Sequence, residues 1–146
     1  MHPGDLIGVY ELEALIARGG MGAVWRARHP TLDRPVAIKV IRGDARHRPS
    51  IREAFQREVK NLSKLHSPQT VQVIDSGFTP AGDPYMVTEY LEGEDLGRRI
   101  KRDGSVPLME TLRIGIEVLK SLSEAHSMGI VHRDLKPGNI FLQRLS

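Results

Sequence analysis

Apolar and polar residues alternate in part over residues 10–17, YELEALIA, before the turn-rich RGGMG, and AVWRARH then resumes a strand-like pattern. This predicts a β-hairpin with a glycine-rich tip. RPVAIKVI, residues 34–41, is a β-branched run of strand length and reads as a third strand, half or fully buried. TVQVIDSGF and PYMVTEYL read as two more strands, separated by the turn TPAGD. Between them and the third strand, residues 50–66 form the clearest helix of the first half, opened by Ser50 with Glu53 in capping-box spacing. Its apolar positions Ile51, Phe55, Leu62 and Leu65 advance by threes and fours, and Glu58 falls on the same stripe.

Beyond LEGEDL the pattern turns helical, with a short helix near 94–102 and a longer one through PLMETLRIGIEVLKSLSEAHSM. Pro107 suits its first turn and Gly129 the position just past its end. Leu108, Leu112, Ile116, Leu119 and Ser123 share a stripe, with Leu122 beside it, so this helix is expected to need a neighbour. The fold class expected is α+β: a five-stranded sheet with one helix over residues 1–90, then the start of a helical second domain over 91–146. The residues after 130 offer the long helix only one loop hairpin, so the second domain is expected to be truncated.

The chain of 146 residues is long enough for one domain, or for a small domain joined to part of another. Hydrophobic residues at 40% and charged residues at 27% argue against intrinsic disorder. A net charge of +3, with basic residues scattered and no aromatics inside the densest basic run at 42–52, points away from nucleic acid. No cysteine is present, which removes disulfides and thiolate metal sites and fits a reducing compartment. With no basic start leading into an apolar run, and no 18 consecutive apolar residues, the expectation is a soluble, cytoplasmic segment without a membrane span.

Two charged positions stand out from the apolar pattern. Lys39 sits inside the strand VAIK, where it reads either as an edge residue facing water or as an inward cation. Glu58 sits where the helix stripe expects an apolar residue, and an inward carboxylate requires a cationic partner. The two residues explain each other as an ion pair. Near the end, HRDLKPGN places an Asp, a Lys and an Asn within one short loop, at spacings that look made for moving a phosphate.

These stretches, in this order, resemble the first half of a protein kinase catalytic domain, closest in wording to bacterial serine/threonine kinases of the eukaryotic type. The resemblance covers residues 10 to 145 and implies ATP and Mg²⁺ as nucleotide and metal, and a protein Ser/Thr hydroxyl as acceptor. IARGGMGAVWRA is similar to the glycine-rich loop, so Ile16, Ala17, Gly19, Gly20, Met21 and Gly22 are expected to lie over the phosphates and Val24 on the adenine. Ala17 stands where that family usually has its first glycine. If the position requires φ > 0, the substitution costs about 1 kcal/mol; if it is extended, the cost vanishes.

In VAIK, Ala37 is expected at the nucleotide and Lys39 on the α and β phosphates, with Glu58 as its partner. MVTEYLEGEDL resembles the connection between kinase lobes, with Thr88 at the back of the pocket and the backbones of Glu89 and Leu91 on the adenine edge. The resemblance of HRDLKPGN gives Asp134 the proton of the attacking hydroxyl, Lys136 the γ-phosphate and Asn139 a Mg²⁺. Within the same loop, His132 is expected to pack and hydrogen-bond rather than titrate, and Arg133 to contact a phosphorylated activation segment.

In that family an Asp-Phe-Gly stretch follows roughly 18 to 20 residues after the catalytic Asp. Only twelve residues follow Asp134, and no such stretch occurs in the sequence. These residues alone are therefore expected to transfer phosphate poorly while retaining nucleotide binding. A naturally short, non-catalytic nucleotide- or partner-binding protein is the alternative. A kinase-like phosphotransferase for small molecules fits less well, because that class lacks the LKPGN wording.

Overall fold

The alternating and β-branched runs pair as antiparallel strands. The computed structural model describes residues 1–19, 22–42 and 48–145. Among these, β1 (Leu6–Ile7), β2 (Tyr10–Gly19), β3 (Gly22–Arg28), β4 (Pro35–Ile41), β5 (Val73–Phe78) and β6 (Pro84–Glu89) form one sheet in the order β1-β2-β3-β4-β6-β5. The five expected strands are all present, and β1 adds a sixth, two residues long and too short to register as alternation. Irregular pairing between Leu12 and Ala14 and between Leu15 and Ala17 explains why β2 alternates only in part.

One face of the sheet is the principal core. Leu12, Trp25, Ala27, Val36, Ile38, Val40, Tyr85 and Val87 are buried there with Ile7 and Tyr10. The other face receives α1 (Pro49–Leu62) at one end, where Phe55 packs with Ile41 and Met86, flanked by Ile51, Val59, Leu62 and Val73. Val59 takes the apolar place that the sequence pattern assigned to Glu58. One residue is about 100° of helix, so Glu58 moves to the edge of the stripe. The capping box does not form. Arg48 is the N-cap without a side-chain cap bond, Pro49 starts the helix, and Ser50 lies within its first turn.

The chain forms two compact units, Met1–Lys64 with Val71–Tyr90, and Leu65–Thr70 with the chain from Leu91 onward. Residues 65–70 therefore leave the strands around them. Glu124 Oε1 accepts the backbone N–H groups of His66 (2.9 Å) and Ser67 (3.0 Å), and Thr70 Oγ1 lies 2.6 Å from Ser121 Oγ. This side-chain anchoring explains why the expected strand TVQVIDSGF begins only at Val73.

The second unit holds β7 (Gly93–Asp95), α2 (Leu96–Asp103), α3 (Leu108–Ser127), a short 3-10 turn (Pro137–Asn139) and β8 (Phe141–Gln143). Asp95 caps α2 by accepting the Arg98 N–H at 2.9 Å. Arg99 grips Glu110 with both terminal nitrogens, at 2.7 and 2.9 Å, and its hydrogen bonds hold that carboxyl below the usual carboxylate range. Pro107 is the N-cap of α3 rather than part of its first turn. At the other end Gly129 has φ +73°, donating to His126 O while Ile130 donates to Ala125 O, a Schellman closure. The stripe expected to need a neighbour is open among the described residues: Leu108, Leu112, Ile116 and Leu119 are exposed, while Ile114, Val118, Leu122 and Ala125 turn inward.

Two predictions follow from the first unit's core. The Trp25 indole is 3% exposed and its N–H finds no hydrogen-bond partner among the described residues. An unsatisfied buried donor costs about 1–3 kcal/mol, which offsets much of what Trp25→Phe loses in volume. Chemical denaturation should show Trp25→Phe within about 2 kcal/mol of the parent, whereas Trp25→Ala should lose about 3–5 kcal/mol. The Tyr10 hydroxyl donates to Asp75 Oδ2 at 3.2 Å, and burial, reinforced by that carboxylate, pushes its pKa up to about 12. A raised phenol pKa stabilises the fold below pH 10 and is lost as pH climbs towards about 12. Melting curves across that window should fall less steeply for Tyr10→Phe than for the parent.

Candidate active site

Residues directly opposed in an antiparallel sheet share a face. Ala17 opposes Val24, Val24 opposes Lys39, Lys39 opposes Met86 and Ala37 opposes Thr88. Ala17, Val24, Ala37, Lys39 and Thr88 thus form one contiguous patch, on the face opposite the principal core. Met86, missed in the sequence, occupies the same row as Lys39 but is buried against Phe55. Ile16 lies at the irregularity between Leu15 and Ala17 and is exposed. Gly20 and Met21 lie outside the described residues.

The glycine-rich hairpin shows why small residues are needed at particular points. Ala17 is extended within β2 and is not among the residues with positive φ, so the alanine carries no backbone strain. Gly22 is different: a Cβ there would lie 2.0 Å from the carbonyl oxygen of Val40. Any side chain would push β3 away from β4. Nothing stands within 4 Å of a Cβ built on Gly19.

Lys39 Nζ lies 3.4 Å from both Oε1 and Oε2 of Glu58, joining β4 to α1, and 5.9 Å from the centre of the Phe55 ring. The carboxylate is not desolvated as the sequence pattern suggested, because the two side chains remain 40% and 43% exposed. An ion pair this open contributes at most about 1 kcal/mol to stability. What it does accomplish is directional: an ammonium on a four-carbon stem is held over the patch rather than free in solvent.

At the end of β6, Thr88 Oγ1 donates to the Glu89 carbonyl at 3.2 Å. Glu89 is fixed by a reciprocal pair with Gln72, donating its N–H to the Gln72 carbonyl (3.1 Å) and accepting the Gln72 N–H on Oε1 (3.0 Å). Gln72 was not singled out from the sequence, since no local spacing connects residues 72 and 89. Leu91 belongs to the second unit and is half-buried.

In the second unit the HRDLKPGN loop is pinned at both ends. The Schellman turn closes α3 before it, and β8 pairs with β7 after it, with Leu96 N–H donating to Ile140 O at 2.8 Å. Gly93 permits this closure, because a Cβ there would meet the Leu142 carbonyl oxygen at 2.0 Å. Within the loop Arg133 adopts φ +66°, and His132 Nδ1 accepts the Asp134 N–H at 3.1 Å. His132 therefore supports the loop through a hydrogen bond.

Asn139 Nδ2 donates to the Asp134 carbonyl at 2.8 Å and to Asp134 Oδ2 at 3.3 Å, tying the two residues together across the turn. Lys136 Nζ stands 3.5 Å from Asp134 Oδ2, and the two side chains are 58% and 68% exposed. The loop thus presents a carboxylate, an ammonium and an amide oxygen together at the surface. Among the described residues no group of three or more His, Cys, Asp or Glu gathers to cage a metal. Mg²⁺ is compatible with this donor set, since it retains several waters and uses one or two protein oxygens together with phosphates.

A family model described as Protein kinase domain matches residues 10–146. The chain is 40% identical over 134 residues to the serine/threonine-protein kinase pkn3 of Myxococcus xanthus, covering 92% of this chain and 24% of that protein. It is 39% identical over 143 residues to the serine/threonine-protein kinase PknB of Mycobacterium leprae, covering 96% and 23% respectively. The chain therefore spans about a quarter of the length of these curated relatives. The crystal structure of the Mycobacterium tuberculosis PknI kinase domain superposes with a TM-score of 0.85 at 28% identity, over 98% of this chain and 57% of that one. A family model matched across residues 10–146, relatives about 40% identical over more than nine-tenths of the chain, and the fold of a solved kinase domain show that the chain belongs to the protein kinase domain family.

Proposed function

We propose that this chain is the nucleotide-holding and base-bearing part of a serine/threonine protein kinase, which moves the γ-phosphoryl group of ATP to a Ser or Thr hydroxyl of a protein. The observation that carries this reading is the loop in which Asn139 fixes Asp134 beside Lys136. The names of the relatives, serine/threonine-protein kinases, support the same class. Lys136, two residues after the Asp, favours Ser/Thr over Tyr as acceptor.

On this reading Lys39, oriented by Glu58, holds the α and β phosphates, and the hairpin around Gly19 and Gly22 covers them with backbone N–H groups. Val24 and Ala37 contact the adenine, whose polar edge meets the backbones of Glu89 and Leu91, with Thr88 behind. The acceptor oxygen forms a bond to the γ-phosphorus while the bond to the β-γ bridging oxygen breaks and ADP leaves. Asp134 accepts the proton of the hydroxyl, and Lys136 offsets charge on the phosphoryl oxygens. Asn139 would hold Mg²⁺, which when bound would supply charge neutralisation. On this reading the substrate is a protein, and the compartment is the cytoplasm, where ATP is supplied. Among the described residues no helix is long and apolar enough to cross a membrane.

Titration calorimetry of the 146-residue chain with MgATP tests the nucleotide half. Saturable binding is expected, weakened at least about tenfold in Lys39→Ala, as fits loss of a charge-assisted phosphate contact, and changed less than about twofold in Asp134→Asn. Absence of saturable binding by the parent would overturn the reading. Phosphoryl transfer by these residues alone is expected to be low. In a kinase domain of the relatives' length, Asp134→Asn should lower kcat by about 10²- to 10⁴-fold with little change in KM for ATP.

A further inference from the structure

Arg26 is absorbed by none of these roles, yet it lies in the nucleotide-facing patch. It stands two residues beyond Val24 on β3, on the same face, and directly opposite Ala37. A cation in that row is anomalous, because its neighbours there are small and apolar and the roles above leave it no phosphate to hold. Its guanidinium is committed twice instead. Nη1 donates to Glu13 Oε2, and Cζ lies 5.2 Å from the centre of the Tyr90 ring.

Glu13 sits at the irregular pairing of β2 between Leu12 and Ala14. It is itself gripped by Arg28, whose Nε donates to Oε1 at 2.7 Å, and Arg28 Nη1 reaches Asp33 Oδ1 at 2.7 Å. The paired Arg26 and Glu13 side chains are only 33% and 25% exposed. A chain of alternating charges, Asp33, Arg28, Glu13 and Arg26, therefore ends on an aromatic face. Tyr90 is the residue between Glu89 and Leu91, whose backbones are assigned to the adenine edge. Gln72 fixes Glu89 from β5's side, and Arg26 fixes the next residue from β3.

We propose that Arg26 is a positioning residue for the nucleotide base: clamped by Glu13, it stacks on Tyr90 and holds the backbone of residues 89–90 in the register that meets adenine. This deepens the kinase reading and rests on it. A planar guanidinium suits the task, since it bridges a carboxylate in its plane while offering its flat face to a ring. A lysine can keep the charge but not both contacts. The clamp acts on the base segment and leaves the phosphate-holding residues alone, so its loss should separate the two halves of the ligand.

The experiment compares binding of MgATP, adenosine and magnesium tripolyphosphate to the full chain and to Arg26→Ala, Arg26→Lys, Tyr90→Ala, Tyr90→Phe and the Arg26→Ala/Tyr90→Ala double variant, with a melting curve for each. Loss of the cation–π contact should weaken ATP and adenosine by the same factor, roughly three- to tenfold, in Arg26→Ala. Tripolyphosphate should bind unchanged. Arg26→Lys should lose nearly as much as Ala, Tyr90→Phe should match the parent, and Tyr90→Ala should reproduce the Arg26→Ala loss. In the double variant the losses should not add. Unchanged adenosine affinity with a lowered melting temperature would make Arg26 a strut of the fold alone and overturn the proposal. Equal weakening of tripolyphosphate, or additive losses, would overturn it as well. A parent chain that binds none of the three probes would instead remove the kinase reading, and this proposal with it.

Discussion

The register of β4 between β3 and β6 is the constraint on which the first half of the site depends. Side chains on a strand alternate faces with period two, so a slip of one residue would exchange every inward and outward position. In the observed register Val36, Ile38 and Val40 enter the principal core while Ala37 and Lys39 face the other way. The slipped register would bury the Lys39 ammonium in the core and expose three β-branched side chains. Either change costs several kcal/mol, so hydrophobic burial on one face dictates the chemistry available on the other. Gly22 sharpens the same choice locally, because only a residue without a Cβ lets β3 approach the Val40 carbonyl.

Core packing and the candidate site's charges consequently fall on different side chains. Core residues of β3, β4 and β6 are almost fully buried, whereas Lys39 and Glu58 are about two-fifths open to water and Asp134, Lys136 and Asn139 are exposed. Open ion pairs contribute little to folding, so the site's charges can be arranged for a ligand rather than for the fold. The separation also has a cost. Solvent-exposed side chains are not held by packing, and each must be oriented by a specific partner: Lys39 by Glu58, Glu89 by Gln72, Asp134 by Asn139.

What was legible in the sequence follows from how local each signal is. Strands and helices were readable because periodicity is a local property, whereas the shared face of Ala17, Val24, Ala37, Lys39 and Thr88 depends on the register between strands. The capping box failed because Pro49 starts the helix one residue earlier, a choice the Ser50–Glu53 spacing cannot see. On α3 the sequence carries two apolar stripes. One runs through Ile114, Val118, Leu122 and Ala125 and the other through Leu108, Leu112, Ile116 and Leu119; periodicity alone gives no reason to prefer either. Gln72 and Arg26 were invisible for a different reason: their partners, Glu89, Glu13 and Tyr90, are set by sheet topology, which no spacing along the chain reports.

The loop bearing Asp134 poses the orientation problem in its most acute form, since among the described residues it is exposed along its length. Its side-chain contacts are modest: Asn139 to Asp134 at 2.8 and 3.3 Å, Lys136 to Asp134 at 3.5 Å. Net hydrogen bonds of about 1 kcal/mol each cannot order eight residues whose backbone entropy costs about 1–2 kcal/mol apiece. Order must therefore come from the ends, where the Schellman turn at Gly129 and the β7–β8 ladder at Gly93 fix the points of entry and exit. With both ends held, the internal bonds need only select among a few remaining conformations. The strained φ of Arg133 is tolerable on the same grounds, because fixed ends leave the chain few other ways to bring Asp134 and Asn139 together. Gly93 and Gly129, outside this loop, thus do more to place the Asp134 carboxylate than the charged residues beside it.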